Sequence, residues 1–548
     1  MYSNEYLSPT VYSSYFRSFG KHYASLMAGY QQEEYKYFNL LAEASYLLSD
    51  AVPSVSTAVG TKTVSDQIGH SSTQSFFGRF NYNFDEKYFL EANFRADGSS
   101  RFEPGEQWGN FPSVSVGWVP TKENFFPLKD VINFFKIRAS YGSLGNQNVA
   151  NYLYVPTMPI SQSNWLFGNN RLWTVGTPNL TSIDLTWEKV STKDIGFDFR
   201  ILDNRLSGTF DWYEALTTDL VGPGTTVPAV LGASVPRTNS GEIRTRGWEV
   251  ELSWKHKVSD FYYEITGVLS DNVSEVTKYN NPTNVLNTSP SNTPNNYYVG
   301  QILGDLWGYE TAGLFQTAEE VTGWANQQAV YAGTWRTGDV KYVDQNGDGK
   351  VDFGKNTLDD HGDMVVVGNQ TPRYNYGFNF NAAWKGFDLG IFFQGVGKVD
   401  LWLSEADNGN YFRGNANGPL HATVLKEHMD YWRDDTSPLG ANPDAYFAKP
   451  YSVFTGENNK NYQVPNDRYM QNGAYLRLKN VQLGYTIPKN LTQKVLISNA
   501  KIYISGENLV TFTDLMLFDP EQTARGGIGD AKIYPLSKIY SVGLNINF

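Results

Sequence analysis

The segment from Asp344 to Asp352 carries oxygen-bearing side chains at the spacing of a calcium-binding loop. Its positions 1, 3, 5 and 9 are Asp344, Asn346, Asp348 and Asp352, and a glycine at position 6 allows a sharp turn. The backbone carbonyl of Lys350, at position 7, would add a fifth ligand. These residues predict a structural Ca²⁺ site in an exposed loop. A Gly/Asn-rich turn without metal is the alternative that they leave open.

Position 12 of this segment separates it from a calcium sensor. A sensor loop has a bidentate Glu there, whereas this chain has Lys355, and no helical pattern flanks the loop. Asp359 or Asp360 could complete the coordination from outside the segment. We therefore predict a structural site that stabilises a loop, and not a regulatory calcium switch.

No other set of residues has the spacing of a catalytic or cofactor site. The chain has no cysteine, which excludes disulfides, thiolate nucleophiles and Cys-ligated zinc. The histidines lack the HExxH or His-x₃-His spacing of a metal centre, and they are His22, His70, His256, His361, His421 and His428. P-loop, GxSxG and dinucleotide-binding sequences do not occur either. We therefore expect no enzyme, no catalytic residue and no cofactor besides Ca²⁺.

Composition narrows the class of protein to which these residues belong. The formal net charge is −12, so a nucleic-acid partner is not expected. Aromatic residues reach 15% and charged residues only 18%, below the roughly 25% of soluble domains. The sequence contains no apolar run of about 18 residues and no signal-peptide pattern at its start. An outer-membrane β-barrel is the membrane class that this composition leaves open.

Apolar and polar residues alternate along many segments, as they do in a strand with one apolar face. In the last nine residues the apolar face consists of Tyr540, Val542, Leu544, Ile546 and Phe548. The same period of two occurs, among other places, in residues 76–84, 88–97, 194–201, 248–255 and 374–381. The fold class is therefore all-β, either a membrane barrel or a soluble sandwich or propeller.

The lengths of the connections favour the barrel. Tight turns are predicted at Asp85-Glu86, Asp203-Asn204, Val258-Ser259 and Lys385-Gly386. Long polar stretches lie between these hairpins, at residues 143–184, 279–372, 398–474 and 510–533. Outer-membrane barrels have this alternation of short periplasmic turns and long extracellular loops.

Counting strands gives about fifteen, with the first near Val11. Bacterial single-chain barrels have even numbers of strands, so we expect residues 1–548 to be part of a larger barrel domain. The alternative is a strand missed or merged near residues 21–47.

Six segments together resemble the SusC-like branch of TonB-dependent outer-membrane transporters. Their order and spacing match across nearly the whole chain, and they are ADGSSRF (96–102), GNFPSVSVGW (109–118), RASYGSLGNQ (138–147), DQNGDGKVD (344–352), YLRLKNVQLGY (475–485) and SGENL (505–509). The terminal strand also resembles the signal of the barrel-assembly machinery, with Phe548 last and apolar residues two, four, six and eight positions earlier.

The resemblance implies a fold, a location and partners. Such barrels have 22 strands around a plug, and neither the plug domain nor a signal peptide is identifiable in this chain. The implied function is TonB-energised import of oligosaccharides, or of peptides, across the outer membrane with a SusD-like surface lipoprotein. TonB would act through the plug, the assembly machinery would insert the barrel, and lipids would surround it. Ligand-binding residues and the substrate itself are not predicted.

Two other functions fit the same residues. One is a non-transport binding or adhesive barrel, and the other is a siderophore- or cobalamin-type receptor of the same superfamily. Tryptophans in the polar stretches bear on this choice, because they either stack on sugars, contact a lid lipoprotein or pack within the loops. They are Trp165, Trp173, Trp307, Trp324, Trp335, Trp402 and Trp432.

Overall fold

The computed structural model describes most of the 548 residues. The described residues are 2–49, 51, 53–181, 184–224, 235–286, 297–402, 426–451, 457, 460–516, 519–523 and 535–548.

Strands dominate the structure. In the first half of the chain they are β1 (Tyr2–Leu7), β2 (Thr10–Phe19), β3 (His22–Ala44), β4 (Lys62–Phe84), β5 (Tyr88–Ser99), β6 (Trp108–Trp118), β7 (Ile132–Asn146), β8 (Ile160–Phe167), β9 (Asn170–Val175), β10 (Glu188–Ile201), β11 (Leu206–Pro223), β12 (Arg237–Val258) and β13 (Phe261–Lys278). In the second half they are β14 (Asp305–Gly308), β15 (Thr311–Leu314), β16 (Val340–Tyr342), β17 (Val365–Asn369), β18 (Arg373–Trp384), β19 (Phe387–Lys398), β20 (Asp400–Leu401), β21 (Gln471–Asn472), β22 (Tyr475–Thr486), β23 (Asn499–Thr513) and β24 (Ile539–Asn547).

Helices are short. They are α1 (Ala318–Gly323), α2 (Lys489–Thr492) and α3 (Pro520–Thr523), with 3₁₀ turns at Pro120–Lys122, Glu427–Met429 and Gln493–Val495. None of the helices in the described ranges is long and apolar enough to cross a bilayer.

Within the described residues, one antiparallel sheet of sixteen strands follows the chain as a meander. Its order is β1-β3-β4-β5-β6-β7-β10-β11-β12-β13-β18-β19-β22-β23-β24, and β2 also pairs with β3. The all-β fold class and its up-and-down topology are thus confirmed. The strands at the two ends of this order each pair with one neighbour among the described strands. The last strand, β24, pairs with β23, and β2 pairs with β3.

The first two strands form one crossing of the sheet. β1 pairs with residues 34–39 of β3, and β2 pairs with residues 22–31 of the same strand. Proline has no backbone N–H to donate to a ladder, and Pro9 lies at the break between the two strands. Sixteen strands therefore correspond to fifteen crossings, as predicted, and residues 21–47 contain the single long strand β3.

The tight turns all lie at one end of the sheet, and each contains at least one residue with positive φ. Asp85 and Glu86 have φ of 52° and 50°, and Lys385 and Gly386 have 46° and 92°. Left-handed residues at both central positions match the twist of the flanking strands. All four predicted turns are confirmed, and Gly20-Lys21 forms a fifth.

The long connections lie at the opposite end, as expected. Two of them begin later than predicted, because β7 continues to Asn146 and β23 to Thr513. Backbone pairing continues there after the apolar alternation has ended. The predicted stretch 143–184 also contains a separate hairpin, β8–β9. Much of the predicted stretch 510–533 lies outside the described residues.

Candidate functional site

One face of the sheet is an exposed apolar surface. Across β10, β11 and β12 the register aligns Ile195 with Trp212 and Trp248, and the next row aligns Phe197, Phe210 and Val250. Ile195 is 57% exposed and Trp212 is 40% exposed. Rows of exposed apolar side chains at period two are what a lipid-facing wall requires.

The opposite face carries polar side chains that bond to one another across strands. On β4 and β5, Arg79 Nε donates to Asn93 Oδ1 at 2.6 Å, and Asn93 Nδ2 donates to Glu91 Oε1 at 2.9 Å. Asn93 also donates to Ser113 Oγ on β6 at 3.2 Å. Because one strand alternates between the two faces, these contacts show that the polar residues share a single surface.

A groove of about 590 Å³ follows this polar network from β3 to β10. Arg79, Glu91 and Asn93 line it, together with Phe77 and Arg95. The Arg95 guanidinium lies 5.6 Å from the centre of the Phe77 ring. Guanidinium, carboxylate, amide and aromatic groups in one groove can hold a polar ligand of several units, and we call this surface the luminal groove.

A charged cluster continues the polar face beyond the luminal groove. Arg138 Nη2 on β7 donates to Asp211 Oδ2 on β11 at 2.6 Å. Two carboxylates of β10 lie near the same guanidinium, Asp198 at 3.5 Å and Asp194 at 3.7 Å. Three carboxylates therefore surround one cation, so this part of the wall is acidic.

A second cluster fixes the connection between β23 and β24 to the wall. Arg477 on β22 bonds to Glu521 at 2.9 Å and to Asp519 at 2.8 Å. Lys479 donates to the same Glu521 carboxylate at 2.9 Å. Arg477 is only 2% exposed, so the short helix α3 is held by buried ion pairs.

The described residues of the two longest connections, 279–372 and 399–474, pack together into a body that we call the loop unit. Its buried apolar cluster includes Trp307, Tyr342, Trp402, Trp432 and Tyr469. Polar side chains also cross between the connections, since Trp432 Nε1 donates to Gln316 Oε1 at 3.0 Å. The loop unit thus has a core of its own, and this core is larger than the two buried apolar clusters that include strand residues among the described parts of the chain.

The tryptophans divide according to this core. Trp307, Trp335, Trp402 and Trp432 are all at most 9% exposed, so self-packing explains these four. Trp324 is 36% exposed and donates to the Tyr342 carbonyl. Trp165 and Trp173 of the β8–β9 hairpin are 85% and 70% exposed, the largest exposed fractions of the seven.

An ion pair lies inside the loop unit. Lys460 Nζ is 2.7 Å from Asp339 Oδ2, and neither side chain is exposed. Asn461 donates to the other oxygen of Asp339 at 3.0 Å, and the Tyr451 ring lies 4.2 Å from the Lys460 ammonium. Burial lowers the pKa of Lys460, although the Asp339 carboxylate opposes that effect. This pair joins segments about 120 residues apart.

The predicted calcium loop is folded over its own backbone. Asp344 accepts N–H groups of Gly347 and Gly349 at 2.7 and 2.8 Å. In the same way Asn346, Asp348 and Asp352 accept the N–H groups two residues further on, at 2.9, 2.9 and 2.8 Å. The candidate ligand atoms are all oxygens, which suits Ca²⁺, but each of these side chains already accepts a backbone N–H group in a turn. Within the described ranges, no three His, Cys, Asp or Glu side chains are arranged to hold a metal ion. The calcium site therefore stays a prediction.

Three of the described histidines contact different partners. His22 bonds to Tyr82, His70 to Glu34, and His361 lies against the Trp307 ring. His421 lies outside the described residues.

The terminal strand has the face that the sequence predicted. Register places Val542, Leu544 and Ile546 opposite Ile504, Ile502 and Ala500 of β23. Tyr540, Val542 and Leu544 are 75%, 80% and 61% exposed, and Phe548 is 90% exposed. A role of these residues in assembly stays a prediction.

Sequence reasoning did not identify the luminal groove as a site. It placed Arg79, Glu91, Asn93 and Arg95 on polar faces, but only the register between strands shows which of them meet. The buried pairs of Lys460 and Arg477 had no signal in the sequence, because their partners are far away along the chain.

Comparison with known proteins gives a consistent result. Residues 2–374 match the family model described as TonB dependent receptor-like, beta-barrel. The TonB-dependent receptor P3 of Formosa agariphila is 28% identical over 563 residues, which cover 98% of this chain and 52% of that protein. The TonB-dependent receptor SusC of Bacteroides thetaiotaomicron is 26% identical over 99% of this chain and 50% of its own length. The chain therefore spans about half the length of these relatives.

Solved structures agree on the fold. The RagAB peptide transporter superposes with a TM-score of 0.76 at 23% identity, covering all of this chain and 56% of that one. The RagAB peptide importer in its open-open state gives a TM-score of 0.78, also at 23% identity.

Proposed function

Because the chain belongs to the TonB-dependent receptor β-barrel family, whose members lie in the outer membrane, we propose that it forms the wall of a TonB-energised importer for oligosaccharides or peptides. Its fifteen crossings would be part of a larger barrel, since each match covers about half of the relative. In this role the chain supplies the lipid-facing wall, the luminal groove and the loop unit.

The luminal groove is the observation that carries this proposal. Its polar side chains are held by hydrogen bonds within β5 and across to β4 and β6, so their positions are set before a ligand arrives. Alternating donors, acceptors and an aromatic surface suit a chain of sugars or of amino acids, both of which present many polar groups. A lipid-like or fully apolar ligand would leave these groups unpaired.

A surface lipoprotein and TonB are the proposed partners. The likeness to RagAB, a peptide importer, and to SusC supports a SusD-like lipoprotein on the side of the long loops. Trp165 and Trp173 are exposed aromatic groups that could contact that partner or a sugar. TonB would act through a plug within the barrel. Insertion would require the barrel-assembly machinery, which reads the strand ending at Phe548.

Calcium is proposed as a structural ion only. Asp344, Asn346, Asp348, Asp352 and the Lys350 carbonyl would hold it. It would stiffen the loop unit rather than take part in transport.

Uptake of labelled ligands tests the proposed function. Cells with and without this gene, and cells lacking TonB, would receive fluorescent oligosaccharides and oligopeptides of matched size. We expect uptake that needs both the gene and TonB. Binding at the surface that continues without TonB, and without uptake, would favour the non-transport barrel instead.

A matched pair of variants relates uptake to the luminal groove. Arg79→Ala should reduce uptake while the protein level in the outer membrane is unchanged. Arg246→Ala is the control, because that guanidinium pairs with Glu214 at 2.7 Å and does not line the luminal groove. Equal uptake by both variants would contradict the assignment of the site.

A further inference from the structure

Four tyrosines lie on the polar face of the sheet, further from the tight turns than the luminal groove. They belong to β1 and β3, we call them the tyrosine patch, and they are Tyr2, Tyr6, Tyr35 and Tyr37. Tyr6 pairs with Tyr35 in the register of these strands. Met27 of β3 lines the luminal groove, and residues at even intervals along a strand share one face. Tyr35 and Tyr37 lie at such intervals beyond Met27, so the patch and the groove share a surface.

The rings of the tyrosine patch are open to a ligand and are linked to one another. Tyr2 and Tyr6 are 60% and 61% exposed. The hydroxyl groups of Tyr2 and Tyr35 lie 3.0 Å apart, within hydrogen-bonding distance. The ring centres of Tyr35 and Tyr37 are 6.0 Å apart. The patch is therefore an aromatic surface whose members support one another.

A glycine on the neighbouring strand determines how the Tyr37 ring lies. Gly69 of β4 pairs with Tyr37, and a side chain at position 69 would collide with that ring. The ring therefore lies across the backbone of β4, with one face against Gly69 and the other turned away from the sheet. The luminal groove has the same arrangement, since the Phe77 ring lies over Gly29. Flat rings thus occur at both ends of one continuous face.

Neutral polar groups surround these rings. Besides Gly69, the polar-face positions of residues 2–6, 31–39 and 67–75 have amide, hydroxyl and aromatic side chains, with Glu33 as their one carboxylate. None of these described positions has a lysine, arginine or histidine. An anionic ligand, or one with a free carboxyl end, would find no cation here, whereas a neutral ligand needs none.

Sugar rings match this surface by their chemistry. A pyranose has a face of C–H groups, and its hydroxyl groups project from the edge. The face of an aromatic ring is the negative side of its quadrupole, so it attracts polarised C–H groups. The hydroxyl groups at the edge of the sugar can bond to the amides and hydroxyls that flank the rings. A peptide has no repeated flat C–H face, and it carries charges at its ends.

We propose that the tyrosine patch binds the rings of a neutral oligosaccharide by stacking, before the sugar chain enters the luminal groove. The inference rests on the proposed function, because it selects oligosaccharides from the two ligand classes considered there. It concerns binding at the wall, which is measured without transport.

Binding is measured on the protein purified from outer membranes in detergent. The neutral probes are maltohexaose, cellohexaose, mannohexaose and xylohexaose. Hexagalacturonate is the anionic sugar chain, and N-acetyl-(Ser-Gly)₃-amide is a neutral peptide of similar length. Saturation-transfer NMR, with irradiation of the aromatic protons of the protein, gives the affinities and identifies the ligand protons that contact the rings. We expect at least one neutral hexasaccharide to bind more tightly than the other two probes, with the strongest transfer to C–H protons of one sugar face.

Four variants and one control locate the binding. Tyr6→Ala and Tyr37→Ala should each weaken hexasaccharide binding about fivefold, the usual size of one aromatic contact. Tyr37→Phe keeps the ring and should keep the affinity. Gly69→Ala displaces the Tyr37 ring and should act like Tyr37→Ala. Phe38→Ala is the matched control, because Phe38 is the next residue of β3 and lies on the opposite face of the sheet; its binding should be unchanged.

The outcomes separate this inference from the proposed function. Peptide or hexagalacturonate binding as tight as that of the best neutral hexasaccharide, no binding of any neutral hexasaccharide at millimolar concentration, or unchanged binding by Tyr6→Ala and Tyr37→Ala would each overturn the inference. TonB-dependent uptake of peptides would still stand in those cases. Conversely, stacking of a sugar on a protein whose cells take up no ligand would support the inference and remove the transport function. Heat-modifiability of each variant confirms that it has folded.

Discussion

The strand wall and the loop unit bury their apolar residues in different ways. Trp212 in the wall is 40% exposed and Leu544 is 61% exposed, because the partner of these side chains is lipid. Trp402 in the loop unit is 2% exposed, because its partners are other side chains of the same chain. The wall thus depends on its backbone ladder and on the membrane, whereas the loop unit depends on packing, as a soluble domain does.

The largest difference should appear when a charge pair is broken in each region. Lys460→Met leaves the Asp339 carboxylate buried without its cation, which should lower the free energy of unfolding of the loop unit by about 3–5 kcal/mol. Lys501→Met is the counterpart in the wall, where Lys501 bonds to Asp388 at 2.7 Å and both side chains are partly exposed. That loss should be below about 1 kcal/mol. Resistance of the loops to protease in increasing urea would measure the first loss, and the fraction of heat-modifiable barrel in increasing urea would measure the second. Equal losses would contradict the comparison.

A positive charge should have different effects on the lipid-facing and the polar face of the terminal strand. Leu544→Arg puts a cation into lipid and should cost about 2–4 kcal/mol if it lies near the bilayer midplane. Asn545→Arg places the same cation on the polar face beside Lys501 and should assemble. The fraction of heat-modifiable barrel in outer membranes measures this. Equal assembly of the two variants would reverse the assignment of the faces.

Calcium should affect the loop unit alone. If the predicted site holds the ion, Ca²⁺ at about ten times its dissociation constant stabilises the loop unit by roughly 1.4 kcal/mol. The protease resistance of the loops should rise accordingly, and Asp344→Asn with Asp348→Asn should remove that response. Glu319→Gln, an acidic residue of the same body, is the control and should keep it. If Ca²⁺ does not change the protease resistance of the unchanged protein, residues 344–352 form a turn that binds no metal.

The smallest effect on stability should follow removal of the last residue. Phe548 is 90% exposed, so its deletion removes few contacts. Assembly should nevertheless slow, since the terminal aromatic resembles the assembly signal. Pulse-labelled protein reaching the outer membrane would show the delay, while the melting temperature of the assembled barrel should be unchanged. Normal kinetics would remove this role from Phe548.

The same comparison explains what could be predicted from the sequence. Strands such as β24 and β18 were predictable, because a lipid-facing strand must alternate and each alternation is local. The turns were predictable from Asp, Asn and Gly at positions that need positive φ. The core of the loop unit was not, since pairs such as Thr311 with Asp467 join residues 156 positions apart without any period. The luminal groove lies between these cases. The sequence predicts the polar face of each strand, but it does not predict which residues of neighbouring strands are paired.

The long pairing of β3 with β4 has a consequence for how far the protein reaches from the cell. Each strand has 23 residues, whereas crossing the bilayer takes about 9–11. At about 3.4 Å per residue and a tilt near 45°, the hairpin is about 55 Å tall against a hydrocarbon layer of about 30 Å. The rim on the side of the long loops then stands about 25 Å clear of the hydrocarbon layer. A large polymer, an antibody or a phage fibre meets protein at that height before it meets the bilayer.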